Sequence, residues 1–178
     1  THKIGLIDMA HVFKNYKKFE VLREGLKAEI EQSDAKAKQM AADAQALQKE
    51  MQSYKEGSPD YIAAEKKLAG LAADFEAYRQ VQQKEFLRKE SQIYRTIYLE
   101  VTDAVDKYAQ YYKYTLILRF DRSGLEEAQT PQDLLQRMNR EVIYHRGEND
   151  ITLSVLDYLN RKYTQTAERA PATGTRQQ

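Results

Sequence analysis

The chain has 178 residues, 31% of them charged, yet a formal net charge of only +1, with seven glycines, three prolines and no cysteine. Near-neutrality removes the general electrostatic case for nucleic acid or an anionic membrane. The lack of cysteine excludes disulfides and thiolate chemistry, and no apolar run approaches the roughly 18 residues that span a bilayer.

Heavy charge with few chain breakers suits long helices better than a loop-rich globule. Lys3 to Ile7 is short and apolar and reads as a strand ending at Asp8, a good helix N-cap. Met9, Phe13, Tyr16, Phe19, Leu22, Leu26 and Ile30 then fall at helical spacing. The spacing predicts one helix running unbroken to Glu56, an arm approaching about 70 Å at about 1.5 Å per residue.

Along the far half of that helix Met40, Ala44, Leu47, Met51 and Tyr54 step by threes and fours. After a break, Tyr61, Ala64, Leu68, Leu71, Phe75 and Tyr78 do the same. Each series lays one apolar seam on its helix for a coiled-coil partner. Gly57 is expected as helix C-cap, Ser58 as N-cap and Pro59 at the first position of the return helix, which runs to Tyr112. So short a connection makes the pair antiparallel. Near the open end Ile93, Ile97, Val101, Val105 and Tyr108 form one stripe, and Tyr94, Tyr98 and Leu99 a second. A helix apolar on two faces needs more than one neighbour. Gly25 and Gly70 lie inside helices; tolerated neutrality is the plain reading, a pivot at Gly25 the sharper one.

Beyond Tyr112 the period changes. Tyr114 to Phe120 reads as a second strand. Thr130 caps a short amphipathic helix that Pro131 opens and that ends near Arg140. Glu141 to Tyr144 reads as a third strand, and Asp150 caps a last helix carrying Ile151, Val155, Leu156 and Leu159. Residues 164–178 are almost without apolar side chains and are expected to be disordered. Three short strands make a meagre sheet, and their apolar faces and edges invite burial by other copies of the chain.

The order and spacing of three stretches resembles the Skp, or OmpH-like, family of periplasmic chaperones. The stretches are Lys3 to Met9, the hairpin tip Leu47 to Ser58, and the closing pattern Tyr114–Phe120, Val142–Tyr144, Asp150–Thr152 with Val155, Leu156 and Leu159. The resemblance covers nearly all of residues 3–160. It implies a mainly α chain with a small β body (α+β): a long antiparallel coiled-coil hairpin arm on an intersubunit β-barrel, in a jellyfish-like homotrimer. It also implies ATP-independent holding of unfolded outer-membrane proteins in the periplasm, the signal peptide having been removed. On this reading 1–19 and 113–163 form the oligomerisation body, with 121–141 as an insertion, 20–112 the arm, and 164–178 the tail. Two features depart from the family: the near-neutral charge, where its members are often strongly basic, and the insertion. The family's basic lipopolysaccharide-binding cluster has no convincing counterpart here.

The expected oligomerisation residues are Ile4, Leu6, Ile7, Leu116, Ile117, Leu118, Val142 and Tyr144. Candidate client-facing residues are Ile62, Val81 and Leu87, off the seam, with Tyr54 and Tyr61 near the tip. For the two tyrosines hairpin core is the stronger reading, and a lone exposed isoleucine needs no explanation. No catalytic, metal or cofactor site is expected: His2, His11 and His145 are scattered, and Gly57-Ser58-Pro59 lacks the lysine and preceding strand of a phosphate loop. Lys36, Lys38, Lys66 and Lys67 alternate with carboxylates as a solvated face does. An adaptor coiled coil binding one folded partner is the rival from another class; no enzyme activity, nucleic acid or integral membrane segment is implied.

Overall fold

The computed structural model describes residues 2–169. In chain order the elements are β1 (Ile4–Ile7), α1 (Met9–Asn15), α2 (Lys17–Met51), α3 (Pro59–Tyr112), β2 (Leu116–Arg119), α4 (Pro131–Met138) and α5 (Thr152–Arg169), with 3-10 turns at Leu125–Glu127 and Gly147–Asn149. Two compact units result: the residues up to Val21 together with those from Tyr94 onward, and Leu22–Ile93.

In the first unit β1 and β2 pair in parallel, Ile4 opposite Leu116 and Leu6 opposite Leu118. Parallel pairing requires a long crossover, and here the crossover is everything between residues 7 and 116. Residue alternation puts Ile4, Leu6, Leu116 and Leu118 on one face of the pair, and Gly5, Ile7, Ile117 and Arg119 on the other. The core consists of Leu6, Ile7, Val12, Tyr16, Phe19, Ile97, Val101, Phe120, Ile151, Val155 and Leu159. Three chain segments meet at buried Asp8. Its Oδ1 caps α1 by accepting from the His11 N–H at 2.9 Å, and its Oδ2 accepts from the Arg122 N–H at 3.2 Å and Nε at 3.1 Å. Arg122 Nη2 reaches Asp150 Oδ2 at 3.1 Å. Asp150 Oδ1 in turn accepts from the Thr152 N–H and hydroxyl, and the Asp8 N–H donates to the Thr152 hydroxyl at 2.9 Å.

The expected unbroken first helix is interrupted at Tyr16, whose backbone is extended at φ −79°, ψ 113°. Local sequence offers no breaker there. Distant partners hold the break: Asn160 Oδ1 accepts from the Lys17 N–H at 2.9 Å, Asn160 Nδ2 donates to the Asn15 carbonyl, and the Tyr16 hydroxyl donates to Glu100 Oε2 at 3.0 Å. The last helix also departs from expectation. It continues to Arg169, so residues 164–169 are helical rather than disordered. Along it the Thr164 and Thr166 hydroxyls donate to the Asn160 and Lys162 carbonyls one turn earlier. The remainder of the expected tail, 170–178, lies outside the described residues.

In the second unit α2 and α3 are antiparallel. Ser33 Oγ and the Tyr78 hydroxyl lie 3.0 Å apart, Lys89 pairs with Glu29, and Leu47 and Ala64 are buried. The half-buried positions follow the predicted seam through Met40, Ala44, Met51, Leu68, Leu71 and Phe75. Helix α2 ends at Met51, short of the expected Glu56, as 3-10 bonds from Gln52 to Tyr54 unwind it. Gly57, with φ +76°, therefore sits in the turn before α3 instead of capping α2. The Ser58 hydroxyl accepts from the Tyr61 N–H as an N-cap does, and Pro59 opens α3.

Candidate interaction surfaces

The strand pair of the first unit has one covered and one open face. Ile7 is buried and Ile117 half-buried on the side of the chain's own helices. On the opposite face Leu6 is buried, whereas Ile4, Leu116 and Leu118 are 42%, 48% and 42% exposed. The two edges differ as well. Beyond β1 the chain continues the ladder: Leu6 bridges Asp150, the Ile151 N–H donates to the Leu6 carbonyl at 2.9 Å, and Asn149 Nδ2 donates to the Ile4 carbonyl. Beyond β2 no described strand pairs.

The expected third strand at Glu141–Tyr144 is absent; these residues lie outside any strand. The edge of β1 is already taken by 149–151, and the segment does not pair with the open edge of β2. Val142 is half-buried, while Ile143 and Tyr144 are almost fully exposed. The stretch is anchored by the neighbouring His145, whose ring meets Phe120 edge-on at 4.8 Å. Together with Ile4, Leu6 and Leu118 it lines a cavity of about 540 Å³. Of the expected oligomerisation residues, Ile4, Leu116, Leu118 and Tyr144 are therefore available to another molecule. Leu6 and Ile7 are consumed by the chain's own core.

The candidate client-facing residues are not gathered into a patch. Ile62, Val81 and Leu87 are exposed along α3, the first two about 28 Å apart along the helix axis. Tyr54 and Tyr61 are half-buried at the tip, and the Tyr54 hydroxyl donates to Glu50 Oε1 at 2.5 Å. That bond holds the Tyr54 phenol above its usual pKa.

A further surface went unassigned from sequence. In the 121–141 stretch Arg137 donates to the Gly124 carbonyl at 2.9 Å and to Asp133 at 3.0 Å, and Arg140 Nη2 donates to the Ser123 carbonyl at 3.1 Å. The arginines tie the polar side of α4 to the preceding loop and leave Leu135 and Met138 61% and 58% exposed. The clue in sequence was the pairing of Arg137 and Arg140 with a leucine-bearing helix. Thr130 caps that helix as predicted, through the Asp133 N–H.

Among the described residues no group of three or more His, Cys, Asp or Glu could hold a metal ion. No described helix is long and apolar enough to cross a membrane.

A family model described as outer membrane protein (OmpH-like) matches residues 3–159. Among similar solved structures is a crystal structure of a candidate outer membrane chaperone (OmpH-like) from Caulobacter crescentus CB15. It is 16% identical, with a TM-score of 0.71, over 91% of this chain and 86% of that one. At that identity the likeness is one of fold. No curated protein matches the chain.

Proposed function

This chain belongs to the OmpH-like outer membrane protein family, and from that footing we propose that it is an ATP-independent holdase of the periplasm. Three copies associate through their strand pairs, and unfolded outer-membrane proteins are held between their helical hairpins. The observation that carries the self-association is the apolar face of Ile4, Leu116 and Leu118 beside the unpaired edge of β2. An exposed sheet edge next to an apolar face is a template for another chain, and Glu141–Tyr144, without a strand partner of its own, is the segment suited to occupy it. Ring closure by identical copies removes the free edges.

Holding an unfolded chain needs no reacting group. It needs many weak contacts that compete with aggregation yet release the client, and scattered apolar side chains such as Ile62, Val81 and Leu87 on a charged helix supply contacts of that kind. The test is suppression of aggregation of several unrelated unfolded β-barrel proteins without nucleotide. Protection of several supports a holdase. Protection of none, with tight binding to one folded partner, establishes the adaptor reading instead.

A further inference from the structure

The extended residue between α1 and α2 has no local cause. From Met9 to Glu24 the chain holds neither glycine nor proline, and by its own preferences it continues as helix. The break also leaves backbone groups that a continuous helix would pair. One side chain of α5 serves two of them: the half-exposed Asn160 accepts from the Lys17 N–H at 2.9 Å and donates to the Asn15 carbonyl at 3.3 Å. Tyr16 stands at the N-cap position of α2 without capping it, because its hydroxyl goes to Glu100. Asn160 is therefore the N-cap of α2, supplied from another element.

The contacts with α3 depend on the same break. Glu100 receives both the Tyr16 hydroxyl and the Lys18 ammonium, whereas residues two apart on a continuous helix do not share a face. Phe13 and Phe19 meet edge-on at 5.3 Å, and Tyr94 of α3 lies 6.2 Å from the first ring and 5.3 Å from the second. On a continuous helix those two phenylalanines would stand about 120° apart around the axis and about 9 Å apart along it. The broken and continuous forms therefore exclude one another, and the groups that favour the broken one lie on α3 and α5.

We infer that Tyr16 is a two-state joint latched by α5: with Asn160 in place α1 and α2 are separate helices, and with α5 lifted they close into one. Helix α5 reaches the joint from the sheet. The residues that open it are tied there, the Ile151 N–H donating to the Leu6 carbonyl and the Asp8 N–H to the Thr152 hydroxyl. Val155, Leu156 and Leu159 are buried beyond them. A disturbance of that docking is felt at Tyr16, which sets the line on which α2 leaves α1. Coupling of this kind needs an element with two discrete arrangements, and the two exclusive sets of contacts provide one. The joint does not depend on the holdase reading, which aggregation assays test on their own.

The chain has no cysteine, so spin labels on Ala10→Cys and Glu24→Cys, both exposed positions, flank the joint unambiguously. A continuous helix separates those two positions by about 21 Å at about 1.5 Å per residue, and the broken form gives a different distance. Asn160→Ala, alone and with Glu100→Ala, is expected to raise the population near about 21 Å, by roughly tenfold for the lost cap. Adding Lys17→Pro is expected to abolish that population, since proline suits the first position of a helix and keeps the residue before it extended. A single unchanged distance in the chain carrying both alanines overturns the joint, because the break is then fixed without its latch. So does a broad distribution with lost far-ultraviolet helicity, as α1 then melts instead of joining α2. A second distance that survives Lys17→Pro also overturns it, since no continuous helix can produce it.

Discussion

Asp8 is almost fully buried, and its two oxygens serve three donors: the His11 N–H, the Arg122 N–H and the Arg122 guanidinium. Asp8→Ala removes a helix cap and leaves Arg122 without its buried partner. With Arg122 itself partly exposed, a loss of about 2 to 3 kcal/mol is expected. A lower urea midpoint at unchanged slope is the check. The cap was legible, since an aspartate followed by a helical pattern announces it. Arg122 was not, because nothing local links residue 122 to residues 8 and 150. Tyr16 was similarly half-legible. Its burial follows from its spacing, but its extended backbone is set by Asn160 and Glu100, 144 and 84 positions away. Burial, and then the bond to Glu100, push the Tyr16 phenol far above its ordinary value near about 10. The folded state therefore favours the protonated phenol. That contribution is complete below about pH 10 and is lost progressively as pH rises above it. Tyr16→Phe is expected to cost about 1 kcal/mol at neutral pH and to flatten the alkaline decline. Thermal melts of both proteins between pH 8 and 11 measure this, and parallel declines would contradict it.

At the scale of elements, the hairpin could be read from sequence because heptad-like spacing fixes which faces meet, whatever lies elsewhere. Its ends were less accurate: α2 stops at Met51 where backbone bonding turns 3-10, a change to which the seam residues are indifferent. The glycines supply a prediction. Gly57 alone has positive φ among those in the hairpin, and a Cβ at Gly25 or Gly70 would meet nothing within 4 Å. Gly57→Ala is expected to cost about 1 kcal/mol, and Gly25→Ala and Gly70→Ala each to stabilise by about 0.5 to 1 kcal/mol. Equal arm mobility in the Gly25→Ala chain, measured by spin-label distances, would dispose of a pivot there. The end of α3 offers a second case. Lys113 occupies the left-handed region at φ 62°, where the Tyr114 N–H bonds back to the Ala109 carbonyl. Lysine stands in the position that glycine normally takes at such a helix end. Lys113→Gly is expected to raise stability by about 1 kcal/mol, observable as a higher melting temperature. The sequence carries no glycine to signal this cap, so only the change of period marked it.

For the whole molecule, legibility ended at the pairing of the strands. Leu116 and Leu118 read as strand and are strand, but Val142 to Tyr144, equally apolar, form none: 149–151 take the edge of β1, and the edge of β2 stays unpaired among the described residues. Pattern reports which residues prefer a strand and is silent on which molecule supplies its partner. The two-unit division makes a matching prediction. Shortening the hairpin symmetrically about Gly57 deletes part of Leu22–Ile93 only. Such a chain is expected to keep its assembly mass and to lose client protection, assessed by light scattering and by aggregation of an unfolded β-barrel. Loss of assembly instead would place the self-association surface in the hairpin.

The most direct test is the mass of the full chain in solution by multi-angle light scattering, alone and with an unfolded outer-membrane β-barrel protein, nucleotide-free. The account predicts about three times the 20.7 kDa of one chain, and a stable, larger species once the client is added. A 20.7 kDa particle that leaves the client to aggregate would contradict it.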